Sequence, residues 1–278
     1  MLRQRVVTAL VMLAVLLPAL FHPVAVPFAV LTLALMAAAG WEWARLNGVG
    51  TRQALLLGVA LGVAMAVLWW GVPLRAWLPR IWLLASLAWF CLGGVLLAGG
   101  VARWATWPRA WRLAGGMLLL AVAWMAMVEA RQIGLVYLLS VMTLVWMADI
   151  AAYFGGRAFG RRKLAPSISP GKSWEGALSG FAGVCALALF WLWFDTLWPD
   201  DSLSVFGVLL GYGVPWLAAG LVLLTAMSVV GDLVESLVKR SAGVKDSSGL
   251  LPGHGGVLDR IDALLPVLPV ALMLSELP

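Results

Sequence analysis

The sequence predicts an all-α, polytopic membrane protein, on three observations. Of its 278 residues, 63% are hydrophobic and only 12% charged, and mean hydropathy is +0.98. A soluble domain carries about 25% charged residues. The apolar residues fall in long runs, each near the ~20 residues a helix needs to cross ~30 Å of hydrocarbon. The alternation that marks a transmembrane barrel is absent, and helices leave no backbone group unpaired in lipid.

The runs lie at 6–21, 24–43, 53–72, 80–100, 113–129, 133–154, 175–198, 205–227 and 257–276, which predicts about nine spans. Arg3 and Arg5 precede the first run in the manner of a signal peptide. No small-x-small cleavage site follows and further spans come at once, so an uncleaved first span is expected. Run 113–129 is short, and Gly211, Gly213 and Pro215 interrupt 205–227, so eight or ten spans bracket the count. Charge bias supports nine. With the amino terminus cytoplasmic, only Arg75, Arg80 and Arg131 of the 19 Lys and Arg fall in outside segments. The outside loop near Pro199 carries Asp200 and Asp201 and no base.

Other classes recede on composition. The pI of 9.9 reflects basic loops between apolar runs, not a nucleic-acid-binding face. The 17 Trp suit a protein with membrane interfaces. Cys91 and Cys185 sit in apolar runs without a C-x-x-C pattern, so they are expected to be packing residues. No internal repeat supports an inverted-repeat transporter. No low-complexity linker divides residues 1–278, so one integral membrane domain is expected. Its spans in 1–130 precede a half, 131–278, that carries the chemistry.

The chemistry concentrates in two polar stretches. Charges in a membrane protein are costly unless paired or used. If the helix before Asp232 continues, Asp232, Glu235, Ser236, Lys239 and Arg240 share one face. An amphipathic helix with ordinary ion pairs has the same spacing. Next comes KDSSGLLPGHGG, where Pro252, Gly253, Gly255 and Gly256 forbid regular helix. Such a loop exposes backbone N–H groups to phosphate oxygens, with Lys245 and His254 beside them. Asp259, Arg260 and Asp262 then open the last apolar run. Asp232, Asp246 and Asp259, converging from three segments, make a hard oxygen site suited to magnesium.

Upstream, SPGKSWEG places Lys172 and Ser173 at the start of a helix. They can hold phosphate there, or Ser173 can simply cap the helix. Asp149 lies in an apolar run, where a metal, Arg157 or a ligand hydroxyl are its expected partners. Glu42, between Trp41 and Trp43, reads as a structural residue at the inside interface, and His22 as a solvated turn residue.

Together these segments resemble the phosphatidate cytidylyltransferase, or CDP-diacylglycerol synthase, family. The carrying residues are Ser236-x-x-Lys239-Arg240-x4-Lys245-Asp246, then Pro252-Gly253-His254-Gly255-Gly256-x-x-Asp259-Arg260-x-Asp262. Asp149 with Tyr153, Gly155, Gly156, Arg157, Gly160 and Arg161, and the run Ser169 to Gly176, resemble two further family elements. Ser173 stands where many members have Thr. The resemblance covers about residues 130–278 by motif and implies the reaction CTP plus phosphatidate to CDP-diacylglycerol plus pyrophosphate, with magnesium. It implies Asp232, Asp259 and then Asp246 as metal ligands, and Lys239, Arg240, Lys245 and Arg260 as phosphate-neutralising groups. Ser236, Gly253, His254, Gly255 and Gly256 would hold CTP, with Lys172, Ser173 and Asp149 completing a nucleotide or headgroup pocket. Lipid tails would enter between spans, and the site would face the cytoplasm of a bacterial inner membrane. A second cation and a homodimer are left open. The alternatives are the same chemistry on an ether-lipid analogue of phosphatidate, and an ion or solute transporter.

Overall fold

The computed structural model describes residues 2–198 and 202–276, with side chains from residue 4 onward. The helices are α1 (Leu2–Leu20), α2 (Val26–Leu46), α3 (Thr51–Gly71), α4 (Leu78–Thr106), α5 (Arg109–Ile133), α6 (Leu135–Phe159), α7 (Trp174–Leu197), α8 (Val205–Gly211), α9 (Val214–Ser241), α10 (Leu258–Ile261) and α11 (Leu264–Glu276). Among the described residues seven of them, α2 to α7 and α9, are long and apolar enough to cross a membrane. The apolar part of α1, Gln4–Leu20, is shorter. At 13 residues α11 spans only about 20 Å. It is buried along nearly its whole length, so it fills the centre of the bundle.

Three expectations need correction. Run 205–227 is not one helix: at Gly213 φ is 110°, a conformation favouring glycine, and Pro215 starts a new helix. The resulting α9 has 28 residues and is about 42 Å long, so it carries Asp232 to Arg240 in its last turns. The fold is mostly helical but not all-α. Strands β1 (Lys163–Ala165) and β2 (Ser169–Ser173) form a small antiparallel hairpin. Pro166 and Pro170 deny this segment a helix, and strand pairing satisfies its backbone instead. Cys91 is exposed, not packed, although both cysteines are free. Trp82 and Trp124 are fully buried packing residues. The acidic loop at Asp200 and Asp201 lies outside the described residues.

The bundle has two distinct ends. At one end Arg5 of α1 packs on Gly253, Trp43 Nε1 of α2 donates to the Arg112 carbonyl of α5 (3.0 Å), and Trp104 of α4 packs with Leu237 and Val238 of α9. At the other end Tyr137 and Tyr212 meet Ser275 of α11 at 2.8 and 3.0 Å. Every polar segment singled out above lies at the first end.

Candidate active site

Helices α6, α7 and α9 and the hairpin enclose a cavity of about 440 Å³. Its walls form because α6 and α7 touch through small residues spaced four apart. A Cβ on Gly180 would lie 2.8 Å from the Ala148 carbonyl, and one on Gly176 would lie 2.9 Å from that of Ala152. Such stripes let helix backbones approach closely in lipid. The seam brings Asp149, next to Ala148, onto the cavity that Lys172 and Ser173 also line. Ser173 is the N-cap of α7, its Oγ accepting from the Gly176 N–H at 3.1 Å. Glu175 accepts from the backbone of Arg161 and Arg162 at 3.0 and 3.1 Å, tying the hairpin to the helix start. Ile168, at the hairpin turn, is buried against Trp104, Leu233 and Leu237.

The hairpin delivers Lys172 to α9, where its Nζ sits 2.5 Å from Asp232 Oδ2. Ser236 Oγ donates to Asp232 Oδ1 at 3.2 Å. Asp149 feels the positive charge of Lys172 and the negative charge of Asp232; Arg157, the other expected partner, lines the same cavity. One turn on, Lys239 is held between Glu235 and Asp259, with Nζ 2.6 Å from Asp259 Oδ1. The expected polar face of α9 therefore forms, except that Arg240 turns outward. Its guanidinium donates to the Val244 carbonyl at 3.0 Å and closes the helix end.

The segment between α9 and α10 is a tight loop. Gly253 and Gly255 take φ of 77° and 86°, around a turn closed by Leu251 N–H to the Gly255 carbonyl (2.8 Å). A Cβ on Gly253 would meet Arg5, and one on Gly255 would meet Asp259. Lys245, Asp246 and Arg260 are exposed. The His254 ring is half-buried, with Nδ1 buried and unpartnered. Asp259 organises the loop: its Oδ2 accepts from Ser247 N–H (2.9 Å), Ser247 Oγ (2.9 Å) and Gly256 N–H (2.7 Å). Burial pushes its carboxyl up, but Lys239 and these N–H groups outweigh that and hold it at about 2.

Asp262 sits in the turn between α10 and α11. Gly231 of α9 faces this turn so closely that a Cβ would lie 2.9 Å from Pro266. Burial, and then the negative charges of Asp232 and Asp149, push the Asp262 carboxyl up to about 7. Asp149 and Asp232 are thus the acidic groups whose charge acts on Asp262. The expected set of Asp232, Asp246 and Asp259 is not assembled. Asp232 is paired with Lys172, Asp259 is fully engaged, and Asp246 faces outward. Among the described residues no three His, Cys, Asp or Glu side chains gather as a metal cluster.

One participant escaped the sequence reading. Glu42 of α2 is 0% exposed, and it accepts hydrogen bonds from Ser247 Oγ, Ser248 Oγ, Val257 N–H and Leu258 N–H at 2.5–3.2 Å. The signal was a carboxylate in an apolar helix; Arg45, three residues on, lies over the Trp41 ring instead of pairing with it.

Residues 3–277 match the cytidylyltransferase family. The chain belongs to that family. This cytidylyltransferase-family chain is 41% identical over 273 residues to phosphatidate cytidylyltransferase of Pseudomonas aeruginosa, which covers 97% of the chain and 95% of that protein. It is 51% identical over 138 residues to phosphatidate cytidylyltransferase of Haemophilus influenzae, covering 49% of this chain and 44% of the other. The Thermotoga maritima protein of the same name is 41% identical over 147 residues, 53% of this chain and 52% of that one. With seven apolar helices of crossing length, this family member is a multi-pass membrane protein. The Lys172–Asp232 pair in the wall of a largely apolar cavity suits an amphiphile with an anionic head.

Proposed function

We propose that this chain transfers the cytidylyl group of CTP to phosphatidate, giving CDP-diacylglycerol and pyrophosphate in phospholipid synthesis. The likeness to the Pseudomonas aeruginosa enzyme along nearly the whole chain carries this reading. The site's chemistry agrees with it. A phosphate oxygen of phosphatidate attacks the α-phosphorus of CTP, and the bond to the β-phosphate breaks as pyrophosphate leaves. Phosphatidate is already ionised near neutrality, so no strong base is required. Both reactants are anionic, and neutralising and aligning them is the main task.

Lys172 supplies a half-buried positive charge in the cavity wall, Lys239 a buried one between Glu235 and Asp259, and Lys245 and Arg260 add exposed charge on the loop and on α10. The turn at Gly253–Gly256, with the His254 ring, offers the Gly253 and Gly255 N–H groups to CTP or to the departing pyrophosphate, those of His254 and Gly256 being held by Leu251 and Asp259. Lys172, Ser173 and Asp149 receive the lipid headgroup, and the apolar wall at Ala177, Thr225 and Val229 receives the start of its chains.

Magnesium is the cofactor this reading implies, and the donor set fits it: hard carboxylate oxygens in one neighbourhood. Two of these carboxylates are now matched by lysine ammonium groups, while ionisation of Asp262 is opposed by its acidic neighbours. Asp232 and Asp262 would hold the ion, with the Asp259 carboxylate as a further donor. Bound there, magnesium would offset the charge of the triphosphate and of pyrophosphate. A homodimer is not required, because every group named comes from one chain.

Nine crossings count α1 and α11 with the seven long helices. The basic residues of the inside segments, and the packing of Arg5 on Gly253, support an amino terminus and active site facing the cytoplasm of a bacterial inner membrane. The test is pyrophosphate release by purified protein in detergent. Release that needs CTP, phosphatidate and magnesium together, with CDP-diacylglycerol recovered, is the expected result. Release with only an ether-lipid acceptor, or none with any lipid phosphate, overturns it.

A further inference from the structure

We propose that Glu42 is a positioning residue that sets the catalytic loop from the far half of the chain, an inference resting on the cytidylyltransferase reading above. Its two carboxylate oxygens divide the work evenly. Oε1 accepts from Ser248 Oγ (2.5 Å) and Val257 N–H (3.0 Å). Oε2 accepts from Leu258 N–H (2.8 Å) and Ser247 Oγ (3.2 Å). Each oxygen thus takes one backbone N–H and one hydroxyl, and the two ends of the loop, 247–248 and 257–258, close on a single side chain.

The clamp reaches the reacting groups in two steps. Ser247 donates its N–H to Asp259 and shares its one hydroxyl proton between Asp259 and Glu42. Gly256 donates to Asp259 and lies so close to Glu42 and Ser247 that any side chain there would overlap both. Asp259 in turn holds Lys239. Moving the Glu42 carboxylate therefore moves the turn that carries Asp259 and the Gly253–Gly256 backbone.

Burying a carboxylate is costly unless it is paired or well hydrogen-bonded. Among the described residues no Lys or Arg forms an ion pair with Glu42. The four donors of the loop are what satisfy it, and charge-assisted hydrogen bonds of this kind are the strong ones. A loop conformation that withdraws them strands a buried charge, so the carboxylate selects one loop geometry.

The test compares wild type, Glu42→Gln and Ser248→Ala in detergent. It measures kcat, the KM for CTP and for phosphatidate, thermal stability, and the rate of tryptic cleavage at Lys245. The amide of Glu42→Gln keeps the size but turns an N–H group toward a backbone donor. We expect kcat/KM for CTP to fall about 100-fold, the cost of a small misplacement at a reacting centre. The KM for phosphatidate should stay within about twofold, and cleavage at Lys245 should speed up in a protein that stays folded. Ser248→Ala, with one donor lost, should fall about tenfold. Wild-type constants and cleavage rate in Glu42→Gln overturn the proposal. So does equal loss toward both substrates together with lost thermal stability, which marks a residue of the fold alone. If Glu42→Gln does not fold, an unchanged Ser248→Ala overturns it. Should wild type lack cytidylyltransferase activity, the reading of function fails, while cleavage at Lys245 still decides whether Glu42 sets the loop.

Discussion

Lys172 Nζ lies 2.5 Å from Asp232 Oδ2, joining the β1–β2 hairpin to the polar last turns of α9. Both side chains are one-quarter exposed, so solvent still reaches the pair and its net contribution to stability is modest. Its value is in placing one cation and one carboxylate at the same wall of the cavity.

Asp232→Asn should therefore cut the rate of pyrophosphate release by at least about 100-fold while the protein stays inserted and folded. Lys172→Met should lower it by a comparable factor. The double variant should lose far less than the product of the two, because the residues act as a unit. Steady-state rates of the four proteins at saturating CTP and magnesium check this. Independent, multiplying effects would mean that the pair is incidental.

The α6–α7 seam makes a second demand. A Cβ on Gly180 already falls 2.8 Å from the Ala148 carbonyl, so Gly180→Leu must push the helices apart. The overpacking should cost about 1–3 kcal/mol, and activity should fall further as Asp149 leaves Lys172. Gly94→Leu on α4 is the comparison, since nothing lies within 4 Å of a Cβ there. Thermal midpoints and rates of both variants settle it; equal tolerance would remove the seam from the argument.

Much of this fold was legible because its signals are local. Runs of apolar residues define α2 to α7, and the SxxKR…KD…PGHGG…DRID spacing defines the loop. The interruption at Gly211, Gly213 and Pro215 was legible, but only the backbone, with φ of 110° at Gly213, shows that it makes α8 and α9 two helices. The hairpin was hidden by its brevity: its strands have three and five residues. Glu42 was hidden for a different reason. Its donors lie 205 to 216 positions away, and a lone acidic residue near a helix end carries no periodicity that points to them. Spacing also cannot tell a free carboxylate from one already engaged, as Asp259 is by Lys239, Ser247 and Gly256.

Asp259 makes a pH prediction with a definite sign. Its carboxyl is held at about 2, below the ordinary 3.8, by donors that outweigh its burial. A depressed folded value stabilises the fold above the unfolded value, and the contribution is lost as pH falls through the folded one. The contribution, on the order of 2 kcal/mol, should be constant from neutral pH down to about pH 5 and fade toward pH 2. Wild type and Asp259→Asn unfolded thermally in detergent should differ by a constant amount at neutral pH and converge in acid. A difference that grows with acidity would contradict the hydrogen-bond network.

Asp262 behaves in the opposite sense and ties pH to metal. Its carboxyl is pushed up to about 7 by burial and by Asp232 and Asp149. Between the unfolded value and 7 the folded protein keeps a proton that the unfolded chain gives up, so stability falls as pH rises through this window and levels off above it. A cation held by Asp232 and Asp262 must displace that proton, which makes its binding stronger at higher pH. Magnesium should therefore raise the thermal midpoint more at pH 8 than at pH 6, measured against a chelator. Asp262→Asn should flatten the difference. A magnesium shift independent of pH, or unchanged in Asp262→Asn, would place the ion away from this carboxylate.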